Sequence, residues 1–338
     1  MWSKAASAVH DGAMKHGARA TALAASAALL ALGGCGGSSK GASAPSLPSN
    51  SASSSTAPTS ASSAAAPGGA ADQVYLSIGD SYAAGYQPTG FRVGHTTTNG
   101  FAYQLVGAAR AKGYDLTLVN VGCSGATTTS VLQGAGCRPG ALGPGAAPYG
   151  SQTQADAAVA ALQQHKGSVA LVTVSIGGND ITACAVAPSP IPCLTQAVAR
   201  AKTNLTTLLQ RLRGAAGPGV PIIGSTYPDV ILGGYVTGGD RGKQLAGLSV
   251  TAFRSLVNPA LKAAYESVGG SFVDITAATG AYGPLTQTTT VAPYGLVPVP
   301  VAKVCELTYA CQFRDIHPRT PGYRLIADAV VGVLPAHK

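Results

Sequence analysis

The sequence predicts an α/β domain, a parallel sheet of five strands wrapped by helices, and three observations carry that prediction. From Ala71 onward, short β-branched runs alternate with longer segments rich in Ala, Leu, Gln and Arg, the texture of strands joined by crossover helices. The strand runs are apolar at nearly every position, as a sheet covered on both faces requires. The chain has 338 residues, of which 46% are hydrophobic and 10% charged, and about 270 remain once its first seventy are set aside, enough for one large domain with a sizeable core.

Those first seventy residues divide in two. Residues 1–34 carry Lys4, Lys15, His16 and Arg19, then a largely apolar run from Ala20 to Leu32, the pattern of a secretory signal. That run is too short to span a hydrocarbon core of about 30 Å. Leu32-Gly33-Gly34-Cys35 resembles a bacterial lipobox, which makes Cys35 the expected site of lipidation and the mature N-terminus. Residues 35–70 are almost entirely Gly, Ser, Ala, Thr and Pro, a composition that cannot offset the entropy of ordering it, and read as a disordered tether reaching roughly 120 Å when stretched. The tether's Gly37-Ser38-Ser39-Lys40-Gly41 matches the G-x-S-x-G nucleophile elbow only in letters, since that motif needs a strand before it and a helix after it.

The folded domain is assigned to residues 71–336. Strands are expected at Val74–Ile78, Leu116–Val121, Val169–Ile176, Pro221–Ser225 and Ser271–Ile275, and helices at Phe101–Lys112, Gln152–Lys166, Leu194–Arg213, Lys243–Val268 and Pro321–Leu334. Pro259 should begin, break or kink part of the fourth helix. Thr276–Gln312, rich in Gly, Thr and Pro, reads as a long loop on the site face.

The formal charge is +9. Residues 1–34 hold Lys4, Lys15 and Arg19 against Asp11, which leaves 19 bases and 12 acids, a net +7, on the rest. These bases are scattered rather than clustered, so nucleic acid is not an expected partner. Six cysteines follow Cys35, an even count that suits disulfides in an exported chain. Fifteen pairings are possible; the spacings make the sequential set, Cys123–Cys137, Cys184–Cys193 and Cys305–Cys311, the simplest. No C-x-x-C, H-x-x-x-H or H-E-x-x-H spacing supports a metal site, and none is expected.

Four clusters fall at equivalent places on the expected sheet edge. Ser77-Ile78-Gly79-Asp80-Ser81 closes the first strand, Asn120-Val121-Gly122-Cys123-Ser124-Gly125 the second and Gly177-Gly178-Asn179-Asp180 the third, while Asp315-Ile316-His317-Pro318 precedes the last helix. Each alone reads as a turn or a cap. Together they supply what acyl transfer needs. Ser81 is a hydroxyl nucleophile that requires a base. Of the four histidines past residue 34, His165 ends a polar helix, His337 is in the tail and His95 lies in a Gly- and Thr-rich loop; His317, between a carboxylate and Pro318, is the best base. The backbone N–H groups of Ser81 and Gly125 and the side-chain amide of Asn179 are candidate donors to an oxyanion.

These four blocks, in this order, resemble those of the SGNH, or GDSL-type, hydrolase family, over the chain from Gln73 onward. The resemblance implies a three-layer α/β/α sandwich, flavodoxin-like in class, and ester hydrolysis with no metal or other cofactor. It places the nucleophile on Ser81, the oxyanion Gly and Asn on Gly125 and Asn179, and the base on His317. Three local disulfides look like those of secreted actinobacterial lipases and esterases of the family. One departure stands out: the usual last block is D-x-x-H, but position 314 is Arg and the carboxylate is at Asp315, two residues before His317. Either the Asp315 carboxylate or the backbone carbonyl of residue 315 orients the imidazole. The carboxylate is the reading adopted, and Asp180 is the nearest motif carboxylate that could substitute.

The expected protein is thus an exported serine esterase or lipase, acting through an acyl-Ser81 intermediate on a small-molecule or lipid ester. It is read as a monomer held at the outer face of the membrane by a lipid on Cys35, or secreted. Two alternatives share the sequence: an acetyl esterase or acyltransferase on wall polysaccharide, and a catalytically silent glycan- or lipid-binding lipoprotein. A glycosidase is disfavoured, because the only two glutamates, Glu266 and Glu306, have no motif around them.

Overall fold

The computed structural model describes residues 73–337. The signal, Cys35, the tether and the first two residues of the assigned domain lie outside the described residues. Along the described chain the strands are β1 (Gln73–Gly79), β2 (Tyr86–Gly90), β3 (Val93–Thr96), β4 (Leu116–Asn120), β5 (Val169–Ser175), β6 (Ile222–Ser225), β7 (Ser271–Val273), β8 (Thr288–Val291) and β9 (Gly295–Pro298). Five of them form one parallel sheet in the order β4-β1-β5-β6-β7, and these are the five apolar runs of the sequence. β7 stops at Val273 because the Asp274 side chain accepts from Ala277 N and caps a helical turn, Ile275–Ala278.

The period-two pattern of each strand divides the sheet between two layers of helix. Leu76, Ile78, Val172, Val174 and Ile222 pack against the helices Gln154–Gln164, Pro190–Ala216 and Asn258–Glu266. Tyr75, Leu171, Ile223 and Val273 pack against Phe101–Ala108 and Thr320–Val333 on the other face. The result is a three-layer α/β/α sandwich. The third helix of the sequence reading begins four residues earlier than expected, at Pro190, where a residue lacking N–H is tolerated. The fourth runs Gly239–Ala252, widens into a π-helical turn at Phe253–Val257 and resumes at Asn258. That wide turn lies immediately before Pro259, whose ring and missing N–H prevent a regular i to i−4 bond.

From β1 the chain passes to β4 at one side of the sheet and then crosses to β5 at the other. The strand order therefore reverses at the C-terminal ends of β1 and β5, the place where such sheets open a crevice.

The reading of Thr276–Gln312 as one long loop is corrected. The segment forms the antiparallel hairpin β8/β9 and the helix Val299–Leu307. Val297, Val301 and Val304 bury against Leu232, Ala246 and Ala310 in a third, smaller core. An unstructured stretch of that length would leave these side chains in water, and loops so long are rare inside compact domains. A second hairpin, β2/β3, was equally hidden by Pro88, Gly90 and Gly94, residues that weaken the strand signal.

Candidate active site

β1 lies between β4 and β5 and ends at Gly79, where the chain must pass close to the end of β5. Gly79 has φ +151°, and a Cβ there would come within 2.0 Å of the Ser175 carbonyl oxygen, so glycine is required. Asp80 then caps the one-turn helix Ser81–Ala84 by accepting from Tyr82 N at 2.9 Å. Its other oxygen accepts from the Tyr227 hydroxyl at 2.6 Å. Burial pushes the Asp80 carboxyl up to about 7, against the lowering effect of the Tyr227 and Tyr82 hydrogen bonds. The turn is thereby fixed, and Ser81, 5% exposed, stands at its start.

His317 Nε2 lies 2.7 Å from Ser81 Oγ, and His317 Nδ1 lies 2.6 Å from Asp315 Oδ1. The same Asp315 oxygen accepts from the backbone N–H of His317 at 2.9 Å. This is an Asx turn, in which a carboxylate bonds the N–H two residues on, and it brings the acid under the imidazole in spite of the two-residue offset. The acceptor to Nδ1 is the carboxylate, not the carbonyl of residue 315. Burial tends to raise the Asp315 carboxyl, but the hydrogen bonds from the His317 ring and N–H and the imidazole charge outweigh it and hold the group below its ordinary value.

The loop that carries these two residues is clamped on every side. Tyr82 donates its hydroxyl to the Ile316 carbonyl at 2.6 Å, so the residue after the serine grips the middle of the acid–base pair. Tyr309 N donates to the His317 carbonyl, Asp315 N donates to the Tyr309 carbonyl, and Tyr294 donates its hydroxyl to the Cys311 carbonyl. The Tyr86 ring lies 4.5 Å from the imidazole, centre to centre. None of these tyrosines stands out in the sequence; only the tyrosine directly after Ser81 could have been suspected, from its place beside the nucleophile.

The donor side of the site comes from two other strand ends. Gly125 has φ +88° and open space where a Cβ would project, so nothing crowds its backbone. The N–H groups of Ser81 and Gly125 have no backbone acceptor among the described residues. Asn179, in the turn Gly178–Thr182, donates one amide hydrogen to the Ala126 carbonyl at 2.8 Å, which leaves the second. Asp180 is turned away: its oxygens accept from Thr128 N at 2.9 Å and Thr128 Oγ1 at 2.7 Å, tying the third block to the second.

The other histidines are elsewhere. His95 is exposed in β3, His165 caps the helix Gln154–Gln164, and His337 lies 3.1 Å from Gln73 Nε2. The cysteines pair as Cys123–Cys137, Cys184–Cys193 and Cys305–Cys311. Among the described residues no three His, Cys, Asp or Glu side chains are grouped to hold a metal ion, and no helix is long and apolar enough to cross a membrane.

A crevice lined by Ser81, Asn179, Ile181, Thr182 and Phe253 opens over this constellation. It shares Ile181, Thr182 and Phe253 with an adjoining groove of about 170 Å³, whose other walls include Leu194 and Ile231. The arrangement offers a hydroxyl in contact with an imidazole, a carboxylate behind that imidazole, N–H groups at Ser81 and Gly125 without a backbone acceptor, and an apolar trough beside the crevice.

The GDSL-like Lipase/Acylhydrolase family model matches residues 77–325. Among solved structures, the fold is similar to a variant of an acetyl-xylooligosaccharide esterase from Geobacillus, with 16% identity, coverage of 79% of this chain and 97% of that one, and a TM-score of 0.43. An extracellular lipase from Streptomyces rimosus matches at 17% identity over 78% and 99% of the two chains, TM-score 0.43. A phospholipase A1 from Streptomyces albidoflavus matches at 18% identity over 78% and 100%, TM-score 0.41. A comparison with curated proteins found no match.

Proposed function

The chain belongs to the GDSL-like lipase/acylhydrolase family and is a carboxylic ester hydrolase, and on that premise we propose that it is an exported serine esterase or lipase working through an acyl-Ser81 intermediate. The observation that carries this reading is the unbroken chain of hydrogen bonds from Ser81 Oγ through His317 to Asp315. His317 Nε2 takes the hydroxyl proton as Oγ attacks the ester carbonyl. Asp315 holds the imidazole in the tautomer whose Nε2 is free to accept, and stabilises the imidazolium that forms. The Ser81 and Gly125 N–H groups and the Asn179 amide receive the oxyanion, each good donor contributing about 3 to 4 kcal/mol to the transition state. The imidazolium then protonates the departing alcohol, and water, deprotonated by the same nitrogen, releases the acid and restores Ser81.

The groove favours an acyl chain over an acetyl group. A chain entering it would leave water for apolar walls, at about 0.8 kcal/mol per methylene, or roughly fourfold in kcat/KM. A ladder of p-nitrophenyl esters should therefore rise in kcat/KM from acetate to octanoate. A maximum at acetate would turn the reading toward the acetyl esterase or acyltransferase on wall polysaccharide.

Three disulfides and the signal-like N-terminus support export, since such bonds persist in oxidising compartments. We take the mature protein to be a monomer held by a lipid on Cys35. Cys35→Ser should move it from the membrane fraction to the medium with its specific activity unchanged; a variant that stays on the membrane would contradict the anchor.

A further inference from the structure

Three of the large apolar side chains exposed among the described residues lie in or beside the groove: Ile191 and Leu248, 52% exposed each, line it, and Val186, 83% exposed, lines the depression next to it. Val186 belongs to a second depression that shares Ala185, Ile231 and Leu245 with the groove. Single exposed apolar residues are ordinary, but three along two depressions that share a wall, one of them an apolar trough, make a patch that fits a partner surface. The Cys184–Cys193 disulfide closes a nine-residue separation around the segment that carries Val186 and Ile191, which restrains both. Charge is placed beside them. The second depression also holds Arg241 and Arg314, neither of which has an acidic partner among the described residues. The nearby carboxylates are engaged, Asp240 with Lys243 at 3.9 Å and Asp315 with His317.

We infer that this face docks on a bilayer containing anionic phospholipid. The inference rests on the ester-hydrolase reading and names the surface from which that site takes its substrate. Val186, Ile191 and Leu248 would enter the boundary between headgroups and acyl chains, and Arg241 and Arg314 would meet the phosphates. An acyl chain then passes from the bilayer into the groove without crossing water. A soluble short-chain ester needs neither the patch nor the arginines.

The test uses the full chain carrying Cys35→Ser, so that no lipid on that residue can hold it to vesicles. Binding is followed by sedimentation with vesicles of phosphatidylcholine, with and without phosphatidylglycerol, and turnover is followed on soluble p-nitrophenyl butyrate. Binding should be at least about tenfold tighter to the anionic vesicles and should weaken as salt rises. The double variant Val186→Asp, Arg241→Gln should lose that binding while hydrolysing the soluble ester within about twofold of the parent, which also verifies its folding. Equal binding to both vesicle types, salt-independent binding, or full binding by the variant would overturn the proposal. Turnover of the soluble ester without vesicle binding overturns the docking alone; no turnover at all overturns the ester-hydrolase reading and the docking with it.

Discussion

Asp315 Oδ1 receives two hydrogen bonds from one residue, from the ring and from the backbone N–H of His317, and this doubling makes a short acid–base offset workable. The sequence left two acceptors open because an Asx turn is a matter of backbone path, which two residues of separation do not reveal. The contact between Ser81 and His317 was legible because a hydroxyl and an imidazole are the residue types the proposed chemistry demands. Asp180 was not, since a motif carboxylate looks the same whether it faces a histidine or, as here, Thr128. Asp315→Asn should lower kcat by about 10³- to 10⁴-fold through loss of the tautomer, whereas Asp180→Asn should cost about tenfold or less. Steady-state kinetics on one soluble ester compare them, and a mild effect at Asp315 beside a severe one at Asp180 would reverse the assignment. Asn179→Ala should lower kcat by roughly 100- to 1,000-fold with little change in KM, and a change confined to KM would make Asn179 a substrate-binding residue instead.

At the scale of elements, the five sheet strands and their helices were legible because apolar period and turn residues coincide there. The β8/β9 hairpin was not: its strands are short, exposed on one side and interrupted by Pro293 and Gly295, so their burial depends on Leu232 and Ala246 far along the chain. Two strand ends carry a cost visible in pH. Asp80 follows β1 and Asp229 follows β6; burial is the main cause that pushes both carboxyls up to about 7, although hydrogen bonds, from Ser249 in the case of Asp229, oppose it. Each folded-state value lies above the unfolded one, near 4. Between pH 4 and 7 the native state thus holds protons that the unfolded chain has released, and these groups lower stability as pH rises through that window. Thermal midpoints should fall from pH 5 to pH 8, and Asp229→Asn, which cannot ionise, should flatten the fall. A variant with the same slope as the parent would show that Asp229 does not titrate in this range.

Over the whole molecule, the fold brings Ser81, just after β1, into contact with His317, more than two hundred positions away before the last helix, and sets Asn179, beyond β5, on the wall of the crevice that holds Ser81. Three local disulfides brace the loops around it, each contributing about 2 to 3 kcal/mol by restricting the unfolded chain. Strong reductant should therefore lower the thermal midpoint, while EDTA should leave activity unchanged; loss of activity restored by zinc or calcium would contradict a mechanism built on side chains and backbone alone. The central claim is that this crevice makes Ser81 a nucleophile. A p-nitrophenyl alkylphosphonate, which transfers its phosphonyl group to an activated serine and cannot be hydrolysed onward at a comparable rate, tests it directly. One equivalent of p-nitrophenol should be released, ester hydrolysis lost in parallel, and the phosphonyl mass found on the peptide containing Ser81, with no label in Ser81→Ala. Label on another residue, or ester turnover that survives full labelling, would contradict it.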